Sequence, residues 1–442
     1  MASDLLTIAA SGARAARAAL NVTAQNIANA SSDGYVRRSV RMEEVSAAGG
    51  QLRIGDISLS GARVSGIHRN ADMFRQAEVR RTGSDLARAD AELGGLQNIE
   101  SAIEQSGLYD SIVEFEAALQ QLASDPTNSS LRSAVLAGAD TLANKFNIAV
   151  DSLGAAGEGL RFNADAAVSE ANVLGKELAR VNLRLSRAGE GSSDRATLLD
   201  QRDSLLERMS GVVDISTSFA PDGAVTVTTG GATLVDGGDY TEISMATAAD
   251  GTISFAAGGT PIEPTGGSLA GAALALESAA DVRARLDTLA DEVASAVNAA
   301  QANGVALDGT PGQPIFGGTG AAGIRVVMTD SSAIATAPAG APAGSIDGSN
   351  LDALRQALED GGVAKSANAL LFDVSSAVAG RTVTRDALDA IAASARISLE
   401  QQAGVDLDAE AANLMRFQQA FQASGRAMQV ATELLDTLLQ LR

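Results

Sequence analysis

The sequence has no cysteine and a single histidine, His68. A chain without thiols cannot form a disulfide, supply a thiolate nucleophile or bind a metal through sulfur. One imidazole excludes multi-histidine metal sites and leaves a single ring for general-base chemistry. We therefore expect no metal, no cofactor and no catalytic centre, and we expect His68 to lie at a strand end.

Aromatic residues and long apolar runs are also scarce. Aromatics make up 3% of the 442 residues and tryptophan is absent, so Ala, Leu and Val must build the core. Such a core favours long helices that pack closely. No stretch approaches the ~20 apolar residues of a membrane span. Asp4, Arg14 and Arg17 interrupt the apolar run that a cleaved signal peptide needs, so we expect no membrane contact and no ordinary signal peptide.

Positive charge is in short supply, because 33 Lys and Arg residues stand against 54 Asp and Glu and the formal net charge is −21. Phosphate recognition depends on basic residues, so we expect no nucleic-acid partner. Basic residues gather near the N-terminus, at Arg14, Arg17, Arg37, Arg38 and Arg41. A solvated helix face and a functional patch both explain that cluster, and the two interpretations remain open.

The first part of the chain reads as an alanine-rich helix from Leu5 to about Ala30. Its apolar residues form two seven-residue series, Leu6, Ala13, Leu20 and Ile27 with Ala9, Ala16 and Thr23 between them. A seam of small residues buries little area, so this helix is expected to be weak alone. The segment 31–34 stops it, and Tyr35 follows as a bulky anchor.

The last part of the chain shows a longer heptad pattern. One series is Leu407, Leu414, Phe421, Met428 and Leu435, and the other is Phe417, Ser424, Ala431 and Leu438. A helix of ~33 residues would reach about 50 Å, and its leucine-rich end needs a partner. Periodicity alone leaves two architectures open: the two chain ends pair as a coiled coil, or both pack on the middle of the chain.

Between the ends, the sequence predicts a mainly α fold with a small β-rich insert. The helical middle domain, 46–394, carries β-hairpins, and the terminal segments are 1–45 and 395–442. The middle domain divides into helical 72–210, β-rich 211–265, helical 268–303, loop and strand 304–345 and helical 350–394. Helix breaks are predicted near Gly107, at 124–128 and at 189–193. Residues 38–70 are predicted to form short strands or an extended connector.

Three groups of residues suggest chemistry. Residues 318–323 (GTGAAG) fit the dinucleotide pattern, but a strand-like segment follows where a helix is required, which argues against nucleotide binding. Asp200 and Asp203 share a helix face. Arg202 has only leucines three and four residues away, so we expect its partner on another helix or subunit and favour packing over acid/base catalysis. Asn26 and Asn29 either cap their own helix or hold a neighbouring chain in register.

Stretches near both ends of the chain resemble sequence signatures of a known protein family. Residues 19–29 (ALNVTAQNIAN) with 33–35 (DGY), and residues 405–414 (VDLDAEAANL) with 417–423 (FQQAFQA), resemble the N- and C-terminal signatures of the flagellar rod, hook and hook-associated axial proteins. Three stretches of the middle resemble the hook-associated protein 1 family in particular. They are 124–128 (SDPTN) with Leu131-Arg132, 198–203 (LLDQRD), and 297–301 (VNAAQ) running into Asp308-Gly309.

The resemblance implies a structural subunit of the bacterial flagellum that forms the hook–filament junction and is not an enzyme. It also favours the first of the two architectures, in which long terminal helices pair as a coiled coil and 1–45 and 395–442 form one terminal domain. Its implied partners are copies of itself in a ring, hook protein, the next hook-associated junction protein and an export chaperone on the C-terminal helix. It also implies type III export to the extracellular flagellum. The alternatives are a hook or distal rod axial protein and, from another class, a secreted effector or enzyme. The expected assembly residues are Leu6, Leu20, Asn26, Ile27, Asn29, Tyr35, Leu414, Phe417, Phe421, Met428, Leu435 and Leu438.

Overall fold

The computed structural model describes residues 2–32, 34–44 and 61–440, with the backbone alone for 2–4 and 438–440. Within these ranges the fold is mainly helical. The helices are α1 (Ala2–Ala28), α2 (Met73–Ser106), α3 (Leu108–Ser124), α4 (Ser129–Leu185), α5 (Ser193–Val212), α6 (Gly267–Ala302), α7 (Gly320–Gly323), α8 (Ser349–Gly361), α9 (Val363–Ala403) and α10 (Leu407–Gln440).

The strands are short and antiparallel. They are β1 (Arg38–Glu44), β2 (Ala62–Arg69), β3 (Ser216–Phe219), β4 (Val225–Thr229), β5 (Ala232–Asp236), β6 (Asp239–Tyr240), β7 (Ile243–Thr247), β8 (Ile253–Ala257), β9 (Thr260–Ile262), β10 (Gly304–Val305), β11 (Phe316–Gly317), β12 (Arg325–Val326) and β13 (Ala337–Pro338). Strands β3 to β6 form one sheet in sequence order, β7 to β9 form another, and β1 pairs with β2. The exposed His68 lies next to the end of β2, as predicted.

The predicted helix breaks each have a local cause. Gly107 takes a φ of 64°, which ends α2 at little steric cost. The residue before Pro126 is pushed out of the helical region, and the Asn128 side chain then caps α4 by accepting from the N–H of Ser130 at 3.0 Å. Ser192 caps α5 by accepting from the N–H of Arg195 at 3.1 Å.

The region after Phe316 differs from the expectation. The strand predicted over 324–328 contains only the two residues of β12, because the single-turn helix α7 and its tight turns occupy the preceding segment. The alternating pattern at 52–59, which predicted short strands or an extended connector, lies outside the described residues.

The chain forms two compact units. Unit 1 contains Met1–Ser84, Glu170–Ile243 and Asp389–Arg442, and unit 2 contains Asp85–Ser169 and Ser244–Leu388. The predicted division was into a terminal and a middle domain, with boundaries at 45/46 and 394/395. The two units do not test that division, and it stays a prediction.

Unit 2 has a core of large apolar side chains. Leucine, isoleucine, valine and phenylalanine from α2, α3, α4, α6, α8 and the start of α9 form one buried cluster. At its centre Phe115 meets Phe316 edge to face, with ring centroids 6.0 Å apart. Edge-to-face contact of this kind adds to the stabilisation that burial alone provides.

Unit 1 contains the paired ends of the chain. Asn26 of α1 lies against Glu410 of α10, and Gly12 lies against Ser424, so the two helices run antiparallel. Most of the apolar residues buried in the two helices are alanines, including Ala9, Ala13, Ala16, Ala19 and Ala431. The terminal helices therefore pair with each other, which confirms the first of the two architectures that periodicity left open.

Candidate assembly surface

Eleven of the twelve predicted assembly residues fall into three groups by exposure. Leu6, Ile27, Phe421 and Leu435 are exposed, and Leu20, Asn29, Tyr35, Leu414, Phe417 and Met428 are partly buried. Asn26 is buried, and the side chain of Leu438 lies outside the described part of the chain. Within the described residues, the large apolar heptad residues of α1 and α10 are thus at most partly buried, whereas alanines of the same helices are buried.

Among the described side chains of the pair, nine large apolar ones are more than a third exposed. We call them the terminal apolar surface: Leu5, Leu6, Ile27, Leu407, Met415, Phe421, Val430, Leu434 and Leu435. Burying such a side chain contributes roughly 1.5–3 kcal/mol. A single chain leaves this stabilisation unrealised, so the surface is suited to further helices.

Asn26 connects the two ends of the chain. Its Nδ2 donates to the carbonyl of Arg38 at 2.8 Å and to Glu410 Oε2 at 3.1 Å. Its Oδ1 accepts from the Arg38 N–H at 3.0 Å and from the Tyr35 hydroxyl at 2.9 Å. The amide thus joins α1, β1 and α10 rather than capping its own helix. Burial raises the pKa of Tyr35 despite the nearby Arg38.

Asn29 has a local role within the described chain, since its Nδ2 donates to the Gln25 carbonyl of its own helix at 2.8 Å. Arg37 adds a second connection between the chain ends. Its Nε lies 2.7 Å from Glu410 Oε1, and its N–H donates to the Ala403 carbonyl at 2.9 Å. Arg37 and Arg38 therefore both make contacts that hold the fold together. For these two members of the basic N-terminal cluster, a structural role is favoured over a functional patch.

The two aspartates of the 198–203 stretch bind arginines. Arg38 Nη2 lies 2.6 Å from Asp200, and Arg69 reaches Asp200 at 2.7 Å and Asp203 at 2.9 Å. Arg202 Nη2 lies 2.6 Å from Asp203 Oδ1. The expectation that Arg202 had no acid on its own helix is therefore wrong, because the long guanidinium side chain reaches the carboxylate of the next residue, with Nε at 2.9 Å and Nη2 at 2.6 Å from Asp203 Oδ1.

Burial acts on the two aspartates with different results. For Asp200, burial raises the pKa above its usual value and outweighs Arg69 and Arg38. For Asp203, burial also opposes ionisation, but Arg202 and Arg69 together hold the pKa below its usual value. Both carboxylates accept hydrogen bonds from guanidinium groups, so they tie β1 and β2 to α5 and are poorly placed for proton transfer.

The other two family-like stretches supply similar buried connections in unit 2. Arg132, 1% exposed, donates to the carbonyls of Pro126 at 2.7 Å and Ile334 at 2.8 Å. Asn298 donates to the Phe316 carbonyl at 2.8 Å and accepts from the Ile315 N–H at 3.0 Å. These polar side chains replace water for backbone groups that the core would otherwise leave unpaired.

Two further asparagines, which the sequence reasoning missed, bind the sheet of strands β3 to β6 to α4. Asn182 donates to the carbonyls of Val225 and Gly237 at 2.8 and 2.9 Å and accepts from the Val225 N–H at 2.9 Å. Asn172 accepts from the Tyr240 hydroxyl at 2.6 Å. Asparagine is disfavoured inside helices, so its presence in a 57-residue helix is the signal that could have found both.

The glycine-rich stretch 318–323 has no free phosphate cradle. The N–H of Gly320 donates to Asp291 at 2.7 Å, and the N–H of Ala321 donates to Asp287 at 2.7 Å. Backbone donors that a pyrophosphate would need are thus held by carboxylates of α6, and two negative charges face the loop. This agrees with the argument against nucleotide binding.

None of the helices in residues 2–32, 34–44 and 61–440 combines the length and apolar character that a membrane crossing requires. In the same ranges, His, Asp and Glu side chains do not assemble into a group of three suited to a metal ion.

Three family models match different parts of the chain. The one described as the flagellar hook-associated protein FlgK helical domain matches residues 93–316, just over half of the chain. The flagella basal body rod protein model matches 6–35, and the C-terminal model of the flagellar basal body rod FlgEFG proteins matches 400–441. The matches at the tips cover the same segments that form the antiparallel pair.

Individual relatives agree with these models. The chain is 25% identical to flagellar hook-associated protein 1 of Bacillus subtilis over 488 residues, covering 96% of this chain and 95% of that protein. It is 29% identical to flagellar hook-associated protein 1 of Salmonella typhimurium over 249 residues, covering 55% of this chain and 44% of that protein. The fold is similar to the flagellar hook junction protein FlgK from Burkholderia pseudomallei, with a TM-score of 0.61, 15% identity, and coverage of 73% of this chain and 99% of that one.

Proposed function

The chain belongs to the flagellar hook-associated protein FlgK family, and from this premise we propose that it is a structural subunit of the bacterial flagellum at the junction between hook and filament. The observation that supports the role best is the terminal apolar surface on the α1–α10 pair. A helix pair that buries alanine and leaves leucine and phenylalanine exposed favours contacts with further copies of the chain.

We assign the contact between copies to the exposed members of the predicted set, Leu6, Ile27, Phe421 and Leu435. The partly buried Leu20, Leu414, Phe417 and Met428 support them from beneath. Asn26, Asn29 and Tyr35 act within the chain by setting the geometry of the pair. Repeated head-to-tail contacts between identical subunits close a ring when the rotation permits.

The proposed partners are further copies in a ring, hook protein on one side and the next hook-associated junction protein on the other. We also propose an export chaperone that binds the C-terminal helix, because α10 carries six residues of the terminal apolar surface and a chaperone could cover them. Export into the extracellular flagellum and the lack of catalysis complete the proposal. The hook or rod alternative is less favoured because the match over 93–316 is to the hook-associated family.

Leu435→Asp tests the role of the terminal apolar surface. Leu435 is 37% exposed, so the variant is expected to fold while losing assembly, because a buried unpaired carboxylate in the contact is strongly unfavourable. Leu274→Asp on α6 is the matched control, with the same residue type and the same 37% exposure. Sedimentation of concentrated protein should show assembly lost in the first variant and kept in the second.

Complementation in the parent bacterium gives the cellular readout. Cells that lack the chain are expected to build hooks without filaments, and Leu274→Asp but not Leu435→Asp should restore filaments. Normal filaments with Leu435→Asp would remove this surface from the assembly contact. Filaments in the deletion strain would contradict the junction role itself.

A further inference from the structure

The α1–α10 pair has exposed charges that form no ion pair within the described residues. They are Arg14 and Arg17 on α1 and Asp408, Arg416, Arg426, Glu433 and Asp436 on α10. Exposed arginines elsewhere in unit 1 do form such pairs, for example Arg396 with Glu207 at 2.6 Å. The charges of the pair are therefore available to a group outside the chain.

Height along the pair follows from two contacts. Gly12 lies against Ser424, and Asn26 lies against Glu410, which is fourteen residues further along both helices. The two helices therefore keep one antiparallel register over this length. Residue numbers convert to height at about 1.5 Å per residue.

On this scale the unpaired charges form a positive middle and two negative ends. The four arginines lie within about 15 Å of one another in height. Asp408 lies beyond them at one end of the pair. Glu433 and Asp436 lie at the other end, about 20 Å from Arg14 and Arg17.

Other charges close to the pair cancel. Glu410 is bound by Arg37 at 2.7 Å. The end of the β1–β2 hairpin approaches α1 where Gly61 meets Ser11. That end contains two arginines and two glutamates, namely Arg41, Arg63, Glu43 and Glu44. The sign pattern along the pair is thus set by the unpaired charges.

The same charges lie on the outer faces of both helices. On α1, Arg14, Arg17 and Asn21 are exposed and are spaced by four and three residues, so they share a face. On α10, exposed residues recur at heptad spacing on the face away from the α1 contact at Ser424. They are Asp408, Met415, Gln422, Arg426, Gln429 and Glu433. Met415 belongs to the terminal apolar surface, so this face is continuous with the proposed assembly contact.

Building on the proposed function, we propose that these charges are paired by the α1–α10 pair of a second copy, which packs alongside and is shifted by about 20 Å along the helix axes. Without a shift, the positive middle of one copy would face that of the next, and like charges across a contact oppose it. With the shift, Arg14 and Arg17 of one copy face Glu433 and Asp436 of the other. That end is favoured because it has two acids, whereas the opposite end has only Asp408.

The charges then have a different task from the apolar residues. Exposed ion pairs add little affinity, so the terminal apolar surface supplies most of the attraction. Charge complementarity selects the register in which two copies meet. The contact joins α1 of one copy to α10 of the next, so it is head to tail and can repeat around a ring or along a helix.

Charge exchange tests this contact. One chain carries Arg14→Glu with Arg17→Glu, and another carries Glu433→Arg with Asp436→Arg. Each variant alone should raise the concentration at which assembly begins by at least about tenfold, because like charges then meet. An equimolar mixture of the two should assemble, because the altered middle of one chain then faces the altered end of the other.

The matched control is Arg180→Glu with Arg184→Glu on α4. Both arginines are exposed and form no ion pair within the described residues, and the change in net charge is the same. The control should assemble as the unmodified chain does. All the changed residues are exposed, so circular dichroism should show each variant folded. A mixture that does not assemble, or a control that fails like the first variant, would overturn the inference.

Cross-linking measures the shift, because the chain has no cysteine of its own. One tagged chain carries Asn21→Cys, and a second, differently tagged chain carries either Gln429→Cys or Met415→Cys. Met415 is level with Asn21 when copies are unshifted, and Gln429 becomes level with it after the shift. Under mild oxidation during assembly, Gln429→Cys should give more mixed disulfide. A larger yield from Met415→Cys would overturn the shifted arrangement.

Sedimentation of the unmodified chain separates this inference from the proposed function. Normal assembly that does not respond to charge exchange would overturn the shifted contact and leave the junction role standing. A chain that does not assemble under any condition would overturn both.

Discussion

The interior of unit 2 and the α1–α10 pair of unit 1 differ in the size of the side chains that their helices bury. Unit 2 buries phenylalanine and leucine, including Phe115, Phe146 and Phe316, in one continuous cluster. The pair buries alanine and leaves leucine, methionine and phenylalanine outside. A core of large side chains stabilises a unit alone, whereas a seam of small ones brings backbones close and leaves most apolar area for contacts between copies.

Polar groups also differ between the two regions. Arg132 and Asn298 of unit 2 bind backbone carbonyls around a core that is already dense. In unit 1, Asn26 and the Arg38–Asp200 and Arg69–Asp203 pairs do more of the joining, because the alanine seam beside them contributes little buried area. Removing a polar group should therefore lower the free energy of unfolding more in unit 1. Removing a large apolar group should lower it more in unit 2.

Phe146→Ala should give the largest effect. The side chain is 0% exposed in unit 2, and truncation is expected to lower the free energy of unfolding by about 3–5 kcal/mol. The matched change Phe421→Ala on α10 should lower it by less than about 1 kcal/mol in the monomer while weakening assembly. Denaturant unfolding followed by circular dichroism measures both. Equal losses in the two variants would break the comparison.

Asp203→Asn should lower the stability of unit 1 by about 3 kcal/mol, because Arg69 and Arg202 would lose a buried carboxylate. Asp200→Asn should cost less, since burial already disfavours its charged form. The folded pKa of Asp203 lies below its unfolded value of about 3.9, so its contribution is complete above that pH and is lost as pH falls through the lowered pKa.

Asp200 contributes with the opposite sign. Its folded pKa is raised, so its charge is destabilising above that pKa, and the penalty disappears as pH falls below the unfolded value. Acid titration of stability should therefore be flatter in Asp203→Asn and steeper in Asp200→Asn than in the wild type. The reverse order would show that the network is held by Asp200.

Asn182→Ala should cost about 1–3 kcal/mol, because it leaves the Val225 N–H and two carbonyls without their partner. Hydrogen exchange at Val225 should accelerate with it. Asn144→Ala, an exposed change on the same helix α4, is the control and should stay within about 0.5 kcal/mol. An unchanged exchange rate at Val225 in Asn182→Ala would contradict the role of the amide.

Gly12→Ala should have the smallest effect. A Cβ there would meet Ser424 Oγ at 3.1 Å, and this tight contact offsets the gain of about 1 kcal/mol in helix propensity. Gly425→Ala on α10 meets nothing within 4 Å, so it should realise most of that gain. Thermal melts of helicity should rank Gly425→Ala above Gly12→Ala. The opposite ranking would show that the helix seam is looser than the structure indicates.

Much of the fold could be predicted because its signals are local. Gly107, Pro126 and Ser192 act on neighbouring residues, so the helix ends followed from turn chemistry. The heptads of the terminal helices likewise predicted a pair. They did not show which stripe would face the partner within the chain, because Leu20 and Ala16 both fit a seven-residue repeat and only the distance between helices decides which side chain the seam admits.

The sequence by itself determined the helical class, the breaks, the exclusion of cysteine chemistry and the family likeness at both tips, because each depends on residues close together in the chain or on composition. Only the tertiary structure decided that Asn26 meets Glu410, that Arg202 turns to its neighbour Asp203, and that the buried Arg80 reaches Thr217. Those outcomes depend on which distant backbone segments come within hydrogen-bond distance, and no local pattern encodes that distance.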